Sequence, residues 1–131
     1  MPDHCKEVIK TDRAPKAIGP YSVGIKTSQL IFTAGQLGII PESGNIIEGG
    51  IETETKQAIL NIQHILEEVG SSLNLVVKTT VYLRDMTEFN LMNMIYAEFF
   101  NENPPARSTV QVAALPKGAA IEIDAIALVT R

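Results

Sequence analysis

Pro105-Ala106-Arg107-Ser108-Thr109-Val110-Gln111-Val112 and, further on, Ile121-Glu122-Ile123-Asp124-Ala125-Ile126 are the two stretches whose reading decides the fold. Both have the β-branched, alternating character of strands. Side chains on a strand project alternately to opposite faces, so Arg107, Thr109 and Gln111 share one face, as do Glu122 and Asp124. A charge on a strand with apolar neighbours costs free energy unless it is paired, hydrogen-bonded or open to water. Two readings follow: a structural ion pair between Arg107 and Glu122, or a wet cleft that both line.

Working outward, Cys5 to Lys10 reads as a first strand, and Pro15 to Pro20 breaks it. Tyr21 to Thr27 and Leu30 to Ala34 read as strands joined by Ser28-Gln29. In Gly35-Gln36-Leu37-Gly38, glycines flank one glutamine beside an apolar strand; this predicts either a turn or bulge, or a place where backbone N–H groups approach a ligand.

From Ile51 to Val69 the apolar residues Ile51, Ala58, Ile59, Ile62, Ile65 and Leu66 recur at helical spacing. Glu52 and Glu54 then fall on polar faces and suit the helix dipole, and Gly70 is the predicted terminator. His64 lies beside this stripe and reads as a surface or interface residue. Leu75 to Leu83 is a strand. Thr87 is the predicted cap of a second helix running through Phe89, Met92, Tyr96 and Phe100, which Asn101 to Pro105 ends. Arg107 to Ala114 and Ala120 to Thr130 are the last strands. The order βββαβαββ predicts an α+β domain over residues 1–131, a mixed sheet with two helices on one face.

That arrangement leaves the other face of the sheet bare. Val23, Ile25, Leu30, Phe32, Val77, Val81, Val110, Val112, Ile121, Ile123, Ile126 and Leu128 cannot all face two helices on one side. For a chain of 131 residues, another copy in a closed ring is the simplest cover, and clefts at such seams offer Arg107 and Glu122 a common cavity. A simple hairpin at Leu115 to Ala119 would set Gln111 beside Glu122. Arg107 would then lie roughly 13 Å farther along, too far for a direct ion pair.

Composition narrows the function classes. Eleven basic residues against fifteen acidic give a net charge of −4, and the basic ones are scattered, which argues against nucleic acid. No apolar run approaches the roughly 20 residues of a membrane span, and Met1 to Cys5 has no leader pattern, so a cytoplasmic protein is expected. The single Cys5 allows no internal disulfide and reads as a bystander thiol. With only His4 and His64 available, no metal-ligand spacing emerges, and no metal or cofactor is expected.

Gly19-Pro20-Tyr21-Ser22, Phe32-Thr33-Ala34-Gly35-Gln36, Asn93-Met94-Ile95-Tyr96, Pro105-Ala106-Arg107-Ser108, Leu115-Pro116-Lys117 and the Ile121 to Ala127 segment together resemble the RidA (YjgF) family of imine deaminases over nearly the whole chain. The resemblance implies a chorismate-mutase-like fold, a homotrimer with sites between subunits, and hydrolysis of 2-iminobutanoate and 2-iminopropanoate to 2-oxo acids and ammonia. It also implies that Arg107 binds the substrate carboxylate and that Glu122 works with the attacking water. Tyr21 and Asn93 would line the pocket, Gly35 would contribute its backbone amide, and Thr109 a contact largely through backbone. Ala34 stands where many members have serine, and Thr109 where many have cysteine.

The chemistry suits these residues. A guanidinium binds a carboxylate through two parallel hydrogen bonds, and one carboxyl group able to give and take a proton serves both water addition and nitrogen departure. Burial would raise the Glu122 pKa and a neighbouring Arg107 would lower it. Ser108 and Thr109 as nucleophiles have no histidine or lysine at an obvious supporting position. The rival readings are a non-catalytic module that binds small carboxylates, and a ribonuclease, which the acidic balance disfavours.

Overall fold

The structure, a computed structural model, describes residues 5–130. The sequence readings that involve Met1 to His4 and Arg131 lie outside them. Seven strands and two helices follow in the order β1 (Glu7–Ile9), β2 (Gly24–Lys26), β3 (Leu30–Thr33), β4 (Gln36–Leu37), α1 (Ile51–Glu68), β5 (Val76–Leu83), α2 (Phe89–Phe99), β6 (Ala106–Gln111) and β7 (Ile121–Leu128). Short 3₁₀ turns occupy Leu73–Leu75, Met86–Glu88 and Pro116–Gly118. The α+β class and both helices stand as read.

The sheet runs β1-β2-β3-β7-β5-β6, with β4 also on β7. Every pairing is antiparallel except β5 with β6. The predicted glycine turn at Gly35 to Gly38 therefore contains a two-residue strand. β3 and β4 both pair along β7, with Ala34-Gly35 as the break between them.

The simple hairpin between β6 and β7 does not form. β5 lies between them, parallel to β6 and antiparallel to β7. This follows from α2, which carries the chain from β5 back to the start of a parallel neighbour, as a strand-helix-strand crossover does.

α1 holds its place by burial. Its isoleucines each weaken helix propensity by a few tenths of a kcal/mol, but burying such a side chain contributes about 1.5–3 kcal/mol. Ile59, Ile62, Ile65 and Leu66 are fully buried against Ile31, Ile121 and Ile123 on the sheet. Gly70, at φ 81°, ends the helix in the left-handed region, and the Ser71 amide donates to the Leu66 carbonyl.

Two details depart from the sequence reading. Glu54 is buried rather than solvated, since its carboxylate accepts from the Ala120 amide at 2.8 Å. The lead into α2 is capped by Asp85, whose side chain accepts from the Thr87 amide and hydroxyl at 2.9 and 2.7 Å; Thr87 is the donor and not the cap. His64 binds the Arg13 carbonyl through Nδ1 at 2.7 Å on the surface, away from the cavities described below.

Both helices cover one face of the sheet. On the other, Phe32, Val77, Val110 and Leu128 are each about two-fifths exposed. None of the helices among the described residues is long and apolar enough to cross a membrane.

Candidate active site

Glu122 extends from the open face of β7 into a cavity of about 600 Å³ that Tyr21, Gly35, Leu37, Pro116 and Lys117 also line. Gly35 is required there by contact. A Cβ at that position would stand 2.7 Å from Glu122 Cδ, so only glycine lets the carboxyl lie over the backbone. The cavity's floor is fastened to α1, where Asn61 donates to the Leu37 and Ile39 carbonyls at 3.2 and 2.9 Å; outside the cavity, Glu54 holds Ala120 just before β7. Arg84 donates to the Gly118 carbonyl at 2.7 Å and fixes the neighbouring turn, in which Lys117 adopts φ 60°.

Burial pushes the Glu122 carboxyl above the usual carboxylate range, and the negative charge of Asp124, two residues along on the same face, adds to the shift. Tyr82, directly across from Glu122 on β5, donates to Asp124 Oδ2 at 3.2 Å. Its phenol is raised by burial and then by Asp124. Of the two opposing influences on Glu122, burial prevails because Arg107 lies elsewhere in the chain.

Arg107 projects from β6 to the opposite, helix-covered face. It lines a second cavity of about 470 Å³ with Asn93, Tyr96, Phe100, Pro104 and Pro105. The separation is a matter of register. Arg107 pairs with Thr79 and Glu122 with Tyr82, and positions three apart on β5 face opposite ways.

The ion-pair reading is therefore overturned; the ion pair that forms among the described residues is Arg13 with Glu67, at 3.0 Å. One chain brings Tyr21, Gly35 and Glu122 together, and separately Asn93 with Arg107. Thr109 shares the face of Arg107, and its buried hydroxyl has no hydrogen-bond partner among the described residues.

The sequence reading also missed neighbours of these groups. Phe89 and Tyr96, one above the other on α2, hold the Arg107 guanidinium over their rings; their seven-residue spacing was the available signal. Lys78 lies 3.0 Å from the Ser108 hydroxyl, so a supporting lysine exists after all. Its ammonium donates to that oxygen, which does not make the serine a nucleophile.

Within one copy of this α+β layer, the guanidinium and the carboxyl thus occupy separate cavities on opposite faces of the sheet. Comparison with known proteins is specific. A family model described as endoribonuclease L-PSP matches residues 11–129. A RutC family protein of Pyrococcus abyssi is 56% identical over 122 residues, covering 93% of this chain and 96% of that one. The human 2-iminobutanoate/2-iminopropanoate deaminase is 48% identical over 123 residues, covering 94% and 90%. The crystal structure of E. coli TdcF with bound serine superposes with a TM-score of 0.90 at 37% identity, covering 95% and 99%. The chain belongs to the RidA/YjgF family.

Proposed function

We propose that this protein hydrolyses 2-imino acids, 2-iminobutanoate and 2-iminopropanoate among them, to 2-oxo acids and ammonia. It does so in the cytoplasm, as a homotrimer whose sites join the Arg107 cavity of one copy to the Glu122 cavity of the next. One observation carries the reading: each cavity holds half of what the reaction needs, a guanidinium with no ion-pair partner among the described residues and a carboxyl that burial within one copy raises above its usual range, on opposite faces. The bare apolar face gives a reason for copies to associate. Relatives named imine deaminases and a relative that binds serine, itself a small carboxylate, support the substrate class.

In this reading Arg107 takes the substrate carboxylate through two hydrogen bonds, with Asn93 and the Thr109 strand beside it and Tyr21 closing the far side. Glu122 accepts a proton as water adds to the C=N carbon and passes it to the nitrogen, giving a carbinolamine; it then carries the proton of the new hydroxyl to the same nitrogen, so that the C–N bond breaks and ammonia leaves as the C=O bond forms. The imine carbon is already electrophilic, and the chain's own groups suffice for the proton transfers.

Two measurements bear on this. With 2-iminobutanoate generated in situ, the wild type is expected to speed its disappearance. Arg107→Ala should lose about 10- to 100-fold in kcat/KM, the size expected for hydrogen bonds to a charged group. A wild-type rate equal to that of buffer would refute the assignment for this substrate. Asp124→Asn removes a negative charge beside Glu122, which then ionises more easily. The acid limb of the kcat/KM profile should move to lower pH, and an unmoved limb would take Glu122 out of the free enzyme's titration.

A further inference from the structure

Among the described residues, the Arg107 guanidinium is held without a carboxylate. Its carbon lies 4.8 Å from the centre of the Tyr96 ring and 5.4 Å from that of Phe89, both within cation–π range. No ion pair involves it among the described residues. Tyr96 is itself pinned: it is 5% exposed, its hydroxyl lies 2.7 Å from the hydroxyl of the fully buried Thr79, and Phe100 backs its ring at 4.6 Å between centroids.

A carboxylate partner would fix an arginine by occupying its N–H donors and cancelling its charge. Ring faces attract the cation through their quadrupole and leave the N–H edge vacant. The charge and the fork geometry both stay available to a ligand.

We infer that Tyr96, with Phe89, is a positioning residue that presents the Arg107 fork to an anionic ligand, and that Thr79 sets Tyr96 through the hydroxyl pair. The ligand class is a planar carboxylate that accepts both N–H bonds in one plane. This deepens the proposed function but does not depend on turnover. Thr79, Tyr96 and Arg107 form a relay in which only Arg107 touches the ligand.

The test uses 2-oxobutanoate, a stable carboxylate, titrated calorimetrically into the full chain, alongside KM and kcat for the imine and a thermal melt of every variant. Tyr96→Leu removes the ring and is expected to weaken 2-oxobutanoate binding about tenfold and to raise KM to match, with kcat within about twofold. In an Arg107→Ala background the same change should have no further effect, because Tyr96 acts through the arginine.

Should Tyr96→Leu fail to fold, Tyr96→Phe and Thr79→Val decide. Each is expected to weaken binding two- to fourfold, and the double variant no more than either alone. Wild-type affinity in folded Tyr96→Leu, or additive losses with Arg107→Ala, would overturn the inference. Binding with this pattern but no imine turnover would leave the clamp standing and remove the deaminase reading; turnover with indifferent Tyr96 variants would do the reverse.

Discussion

Arg107→Ala and Glu122→Gln, each reduced to about a tenth of wild-type activity or less alone, are expected to regain activity when their chains are mixed and allowed to exchange. If each centre takes its guanidinium from one copy and its carboxyl from the next, a centre in the mixture is intact when an Arg107-bearing chain faces a Glu122-bearing one. With equal random mixing that is about a quarter of the centres, and the specific activity should rise to about a quarter of wild type. The two cavities lie on opposite faces of one sheet, so a chain that kept both functional groups in one pocket would give no recovery. An activity equal to the average of the separate variants would refute the shared centre.

Glu122→Gln by itself should lower kcat by about 10²- to 10⁴-fold, the usual contribution of a positioned general acid–base group. Gln keeps the shape and the contact with Gly35 but cannot exchange a proton. Binding of 2-oxobutanoate should therefore change by no more than about twofold, so the loss falls on the chemical step. Single-turnover rates with saturating imine separate the two effects, and a kcat near wild type would remove Glu122 from the mechanism.

Much of this was legible in the chain. The helical stripe from Ile51 to Leu66 and the alternation from Ile121 to Leu128 are strong periodic signals, and burial follows them closely. The two-residue β4 is too short to carry a period, and it forms because β7 supplies a pairing edge. The separation of Arg107 from Glu122 was hidden for a different reason. Each residue's face is readable locally, but the relation between the faces passes through β5, whose register against β6 and β7 is set by tertiary pairing. Glu54 shows the same limit, since a polar residue in a first helical turn reads as solvated until Ala120 arrives to bond it. Phe89 and Tyr96 look like ordinary core aromatics in sequence, and only the placement of β6 beside α2 gives them a cation to hold.

The attachment of the carboxyl's cavity floor to α1 has a dynamic consequence. Leu37 and Ile39 are tethered by Asn61, a fully buried side chain of α1, the helix with more buried residues of the two. Sub-global breathing of that floor would demand that the helix lift with it, and so it belongs to the slowest-exchanging cooperative unit and not to a lid that opens on its own. Deuterium uptake at these positions is then expected to track the opening of the whole domain and not of a local lid.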